Sequence, residues 1–140
     1  MENFTSKINN LISDKIVATV LPSEQTLGMS EKRLNFKFGP ELREYLQNFG
    51  FVLFSGIELM GFNERQKEKS DLIKTTEFLR QDYVCMNSYV VIENVGDSLY
   101  AVCDVNDKMF EFVIGTDTMP QPMNLDLYQY ICKRFNDKNK

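Results

Sequence analysis

The side chains of this sequence that could do chemistry are carboxylates, and they are concentrated. Between Asp82 and Asp126 stand eight acids, Asp82, Glu93, Asp97, Asp104, Asp107, Glu111, Asp117 and Asp126, against Lys108 alone, a local net charge of −7. Two of them brought together by a sheet could serve a glycosidase or a metal-dependent nuclease. Spread over a surface, they would attract a cationic partner and repel phosphate backbones. Composition removes most other chemistry. The 140 residues include no histidine, so the commonest general base near neutral pH is missing, together with every Ser–His and Cys–His pair. None of the seven glycines falls in a nucleotide-binding spacing. Cys85, Cys103 and Cys132 are odd in number and widely spaced, which suits neither a disulfide framework nor a zinc site, and they read as small buried hydrophobes. Asp104-Val105-Asn106 opens like a calcium loop but lacks the glycine and distal glutamate of that motif, so a hairpin turn is expected there. No catalytic residue, cofactor or metal site is therefore expected.

The elements that must position these acids follow from hydrophobic spacing. Phe4, Ile8, Leu11 and Ile12 share one face of a first helix ending near Asp14. Ile16 to Leu21 is too brief to assign, and Glu24 to Met29 suggests a helical turn. Gly39-Pro40 opens a helix with the stripe Leu42, Tyr45, Leu46 and Phe49, closed by Gly50. Phe51–Ser55 and Ile57–Met60 read as two short strands joined at Gly56. Asn63 to Ser70 is the most hydrophilic stretch and reads as an exposed loop or a frayed turn, and Asp71 to Arg80 as a helix that Ser70 or Asp71 is available to cap. Tyr89–Glu93, Ser98–Asp104 and Met109–Ile114 are then three strands whose short turns imply an antiparallel meander. In the last, Phe110, Phe112 and Ile114 alternate with Met109, Glu111 and Val113, so one sheet face should be more buried and covered by helices. Asn124 is expected to cap a closing helix with the stripe Tyr128, Ile131, Cys132 and Phe135.

Length and composition fit one domain over 1–140, with its core in about 4–135 and a polar tail at 136–140. No stretch near the start is apolar enough for a signal peptide or a membrane span, so a soluble cytoplasmic protein is expected. The overall charge is −4, residues 1–80 are neutral, and Lys133, Arg134, Lys138 and Lys140 make a short basic end.

The segments Leu27-Gly28, Phe38-Gly39-Pro40-Glu41-Leu42-Arg43-Glu44-Tyr45-Leu46-Gln47-Asn48-Phe49-Gly50 and Phe54-Ser55-Gly56-Ile57-Glu58-Leu59-Met60-Gly61-Phe62 resemble the SUKH superfamily. A helix bearing Thr75 or Thr76 and Arg80 continues the pattern, and the resemblance spans roughly 24–135. It implies an α+β fold in which N-terminal, middle and C-terminal helices flank a mixed, mainly antiparallel sheet. The role it implies most often is immunity: binding and blocking a cognate bacterial toxin, frequently a nuclease or deaminase. Other members serve eukaryotic signalling or viral roles. The acidic stretch suits this, because carboxylates that mimic phosphates would dock on a toxin's basic groove. On this reading the partner surface comprises Asp97, Asp104, Asp107, Glu111, Tyr100 and Glu64, and the partner is a basic protein, with no direct nucleic-acid contact and no membrane. Gly56, Glu58 and Gly61 form a structural turn, Glu58 accepting backbone N–H bonds and the glycines permitting positive φ. Exposed strand edges leave room for a homodimer. Two other readings stand beside this one: a small-ligand-binding or regulatory domain, and a carboxylate-based hydrolase.

Overall fold

The structure, a computed structural model, describes residues 4–11, 15–62, 71–115 and 119–138. Ile12, Asp14, Glu64 and Asp117 lie outside the described residues, as does the expected loop from Asn63 to Ser70. The element order is α1 (Phe4–Leu11), β1 (Ile16–Val17), α2 (Glu24–Leu34), α3 (Pro40–Asn48), β2 (Val52–Phe54), β3 (Ile57–Leu59), α4 (Leu72–Asp82), a 3-10 turn at Val84–Ser88, β4 (Val90–Gly96), β5 (Leu99–Cys103), β6 (Lys108–Val113), β7 (Gln121–Asp126) and α5 (Leu127–Lys138). This is an α+β fold. Its seven strands form one sheet in chain order, every neighbouring pair antiparallel. The expected mixture reduces to an isolated parallel bridge between Gly61 and Asp71.

Turn chemistry explains the meander. Ser55 and Gly56 both have positive φ, as do Asp97 and Ser98, so each pair forms a two-residue turn of the type that matches the twist of paired strands. Phe54 therefore faces Ile57 across the first hairpin, and Gly96 faces Leu99 across the second. Gly61 serves a different purpose from the expected one. Its φ is not positive; a Cβ added there would overlap the Gly50 carbonyl oxygen, and Phe62 N donates to that same oxygen at 3.0 Å. Close approach of two backbones, rather than left-handed geometry, requires glycine here.

Register sorts the strands into two faces. Val52, Leu59, Glu93, Ala101 and Glu111 are cross-strand partners along one row, and Asn94, Tyr100 and Phe112 along another. The Glu93 row faces α5, whose Tyr130 and Arg134 both bond Glu93. The Tyr100 row faces α4 and the 3-10 turn, where Tyr83 packs edge-on against Phe112 at 5.0 Å between centroids. Helices thus lie on both faces, which corrects the expectation of a single covered face and explains β6: Met109 is 1% exposed although it alternates with Phe110 and Phe112, and the pairing with β7 shifts register between Lys108 and Phe110. The α5 face is the more completely sealed, with Leu127, Ile131 and Phe135 at 1% exposure or less and α1 and α3 packed beside α5.

The sequence pattern of α4 acquires a mechanical meaning. Thr76 is fully buried, and its Oγ1 accepts a hydrogen bond from Val91 N at 2.9 Å. One turn later, Arg80 donates to the carbonyls of Leu34, Met86 and Tyr89 at 2.5, 3.0 and 3.1 Å. One guanidinium therefore ties the end of α2, the 3-10 turn and the start of β4 to α4. Other helix starts carry their own caps: Ser23 accepts from Thr26 N, and Asp71 from Lys74 N. Helix α5 begins with a reciprocal box between Asp126 and Gln129 rather than at Asn124, which lies within β7 at a φ of 62°. Cys103 is buried, Cys85 and Cys132 are half-buried, and all three are free thiols.

Two glycine substitutions should separate these effects. Gly61→Val is expected to cost about 3 kcal/mol or more and lower the melting temperature by roughly 10 °C. Gly28 lies inside α2, and a Cβ added there meets nothing within 4 Å, so Gly28→Ala should raise stability by about 0.5–1 kcal/mol. Thermal and urea unfolding of the two variants checks both.

Candidate functional site

The carboxylates clustered in sequence do not form one surface. Asp97 occupies the exposed tip of the β4–β5 hairpin, and Asp104 lies at the other end of β5, roughly 16 Å away at the usual strand rise. Glu111 is exposed in mid-β6 on the α5 face, beside a groove lined by Leu99, Met123, Leu125, Lys133 and Arg134. Glu93 is 3% exposed and bonded by Arg134 at 2.6 and 2.9 Å and by Tyr130 Oη at 2.5 Å. The bond to Glu93 holds the Arg134 guanidinium above its ordinary pKa, with the Glu93 charge adding to it, despite opposing burial.

Asp107 departs furthest from the expected docking role. It is 3% exposed, and its two carboxylate oxygens accept hydrogen bonds from Glu41 N at 3.0 Å and Leu42 N at 3.1 Å. These are first-turn amides of α3, a helix whose own N-cap residue is Gly39 and has no side chain to offer. A Cβ on Gly39 would collide with the Asp107 carboxylate, so the glycine makes room for a cap delivered from the β5–β6 turn. The Asp107 carbonyl also accepts from Leu127 N at 2.8 Å, and Glu41 Oε1 from Tyr128 N at 3.0 Å, which joins α5 to the same knot. Burial, outweighing the backbone bonds, raises the pKa of Asp107, and burial likewise raises that of Glu41. The acids that the fold gathers most closely are therefore occupied in holding helices. Asp104 is partly in the same position, its Oδ1 accepting from Asn106 N and Lys108 N at 2.9 Å each, an Asx-type turn within the hairpin turn expected for this segment. Among the described residues no group of histidines, cysteines and acids is arranged to hold a metal ion.

Tyr100 and Glu58, singled out for different reasons, come together. Both line a groove of about 730 Å³ on the α4 face, with Met60 and Asn94 from the sheet side and Lys74, Thr75 and Phe78 from α4. Glu58 lies in β3 opposite Leu53, half-buried and on the groove side, while its neighbours Ile57 and Leu59 are 1% and 0% exposed. Asn94 and Tyr100 are cross-strand partners just beyond the Asp97-Ser98 turn. Phe78 is the anomaly: it is 59% exposed on a helix whose Leu72, Ile73 and Leu79 are buried. The spacing of Lys74, Phe78 and Asp82 puts them on one stripe, so exposed Asp82 continues the wall. Sequence reasoning missed Phe78 and Asn94. The signal that could have found Phe78 was the break in the α4 stripe, where an aromatic residue falls beside Leu79 rather than one turn from it.

The free sheet edges are poorly suited to pairing. β1 is two residues long, and β7 contains Pro122, which has no N–H, and the left-handed Asn124. Among the described residues no helix is long and apolar enough to cross a membrane.

An α+β domain with a seven-stranded antiparallel meander, helices on both faces and an open groove beside α4 is the class that this architecture defines. The chain belongs to the SUKH group of families: the family model SUKH_5, described as SMI1-KNR4 cell-wall, matches residues 1–114. The match covers α1 through β6 and leaves β7 and α5 outside. No curated protein matches the chain.

Replacing Asp107 with Ala leaves the buried Leu42 amide and the partly buried Glu41 amide unpaired and is expected to cost about 2–4 kcal/mol in urea unfolding at neutral pH. Because its folded pKa is raised, the favourable contribution of the protonated Asp107 is complete below its ordinary value near 3.8 and is lost as pH climbs through the raised one. The stability of the wild type relative to Asp107→Asn should therefore fall as pH increases from the ordinary value through the raised one, and a rise over that interval would contradict the assignment.

Proposed function

We propose that this protein is an immunity protein, which binds a cognate bacterial toxin and blocks it in the cell that makes both. The observation that carries the reading is the groove on the α4 face. It combines two aromatic side chains, Phe78 and Tyr100, with a carboxylate at Glu58; exposed Asp82 follows Phe78 by one helical turn, and exposed Asp97 stands in the turn of the hairpin that carries Tyr100. Aromatic anchors surrounded by polar groups are the usual centre of a protein-binding surface. Membership of the SUKH families supports the same role, and an overall charge of −4 favours a basic partner by speeding encounter and selecting sign. A toxin acting on nucleic acid, whose active site is cationic, fits that charge.

In this arrangement Asp97 steers from the hairpin tip, Asp104 and Glu111 add to the overall negative charge from outside the groove, Tyr100 is an anchor, and Asp107 acts by holding the scaffold. Glu64, also expected in the partner surface, lies outside the described residues. A small-ligand reading has one observation in its favour, since about 730 Å³ is within the range of metabolite sites; a saturable thermal shift with a metabolite would support it.

The test is co-expression with the product of the neighbouring gene, where that gene encodes a large protein with a toxic C-terminal domain. The wild type should restore growth and co-purify with that domain. Phe78→Ala combined with Tyr100→Ala should weaken the complex at least about 30-fold, the scale of losing two interface anchors, while the melting temperature stays within a few degrees. Full rescue by a folded double variant would contradict the proposed surface, and failure of the wild type to bind would contradict the proposed role.

A further inference from the structure

We infer that Glu41 is a proton-operated clamp on α5, holding the first turn of that helix more firmly when its carboxyl group is protonated than when it is ionised. Three elements meet at this residue. Its backbone N donates to Asp107 in the β5–β6 turn at 3.0 Å, and its Oε1 accepts from Tyr128 N of α5 at 3.0 Å. The preceding amide of α5, Leu127 N, donates to the Asp107 carbonyl at 2.8 Å. The two acids are therefore neighbours that hold successive amides of one helix start. They differ in how their oxygens are used. Both oxygens of Asp107 accept amide hydrogens, whereas among the described residues only Oε1 of Glu41 does. Oε2 of Glu41 can therefore carry a proton while the bond to Tyr128 N stays made.

The charges around Glu41 favour that proton. Asp126 at the end of β7 and Asp107 both oppose its ionisation, and Lys108 acts the other way. Asp104 adds a further negative charge beside Asp107. Tyr128, pushed up by burial and by its bond to Glu44, and Cys103 of β5, pushed up by burial and by Asp107, stay neutral in this range. Arg43 of α3 is turned to α2, where it pairs with Glu24 and Glu31 at 2.9 and 2.8 Å. From α1, the ring of Phe4 stacks on Tyr128 at 3.7 Å, and Lys7 acts further along α5, at Cys132. Burial has the largest effect on Glu41 and outweighs the bond from Tyr128 N, so its pKa lies above the ordinary carboxylate value. A group raised in this way contributes its stability in full below its ordinary value of 4.5 and loses it as pH climbs through the raised one. Opening the first turn of α5 returns Glu41 to water, so the same sign governs that local step. The α4 side has a different kind of anchor, since Val91 N is held by the Thr76 hydroxyl, which does not titrate.

Amide exchange of the full-length isotope-labelled chain, followed from about pH 4 to about pH 8 with intrinsic rates divided out, tests the clamp. The carbon-13 carboxyl signal of Glu41 is titrated on the same sample and should have its midpoint above the ordinary value. Protection of the Leu127 and Tyr128 amides should fall several-fold as pH rises through that midpoint, and by more than any fall at Val91. Glu41→Gln keeps an oxygen for Tyr128 N and cannot ionise, so the pH dependence at Leu127 and Tyr128 should shrink in that variant. Asp126→Asn removes one of the neighbouring charges and should bring the Glu41 midpoint down towards the ordinary value. A Glu41 midpoint at or below the ordinary value would overturn the inference, with no variant needed. So would protection at Leu127 and Tyr128 that ignores pH, an undiminished pH dependence in Glu41→Gln, or a loss at Val91 as large as theirs.

Discussion

The carboxylate of Asp107 holds together parts of the chain that sequence keeps far apart. It lies in the turn between β5 and β6, yet it caps α3, whose first amides come 65 and 66 residues earlier, and its carbonyl receives the first amide of α5. A helix that starts at Gly-Pro has no side-chain cap of its own. Here the missing cap comes from the sheet, and Gly39 supplies the space for it. Positioning α3 and α5 on the same face then follows, and with it the sealing of that face by Leu42, Leu46, Leu127, Ile131 and Phe135.

With α1, α3 and α5 packed over one face, the other face is left to α4 and a short 3-10 turn. Thr76 and Arg80 fix α4 there through backbone groups of β4, the 3-10 turn and α2. Fixed in this way, α4 covers the middle of the sheet and leaves a gap toward β3 and the β4–β5 hairpin. The groove is the consequence of that asymmetry. Its aromatic residues stand on a helix and a strand, so a partner that docks there does not have to order the backbone that carries them, which lowers the entropic cost of binding.

Local signals in the sequence predicted most of the fold correctly. The Pro40 start and Gly50 end of α3, the turn at Gly56, a cap for α4 at one of the two residues expected and the β4–β5–β6 meander all depend on neighbouring residues, and each is where its spacing puts it. What escaped depended on distant partners. β1 is two residues that become a strand only beside β2, α2 runs to Leu34 past the short turn expected at Glu24–Met29, and the cap of α5 is Asp126 rather than Asn124. The site shows the same division. Counting charges along the chain treats Glu93, Asp107 and Asp97 alike, but the fold buries the first against Arg134, turns the second into a cap and leaves the third exposed. No local pattern distinguishes those fates, because each is decided by residues at least 37 positions away or by the lack of such a neighbour. The groove was visible only in pieces, with Tyr100 and Glu58 marked separately and Phe78 taken for part of an ordinary helix.

Whether the partner sits on the α4 face is decided by amide hydrogen exchange on the purified complex with the co-expressed toxin domain, compared with the protein alone. Docking there slows exchange in β3, in the Asn94–Tyr100 hairpin and along α4 from Lys74 to Asp82, with little change in α1, α3 and α5. Slowing confined to α5, β7 or the Asp104–Lys108 turn would place the partner elsewhere and refute the α4 surface.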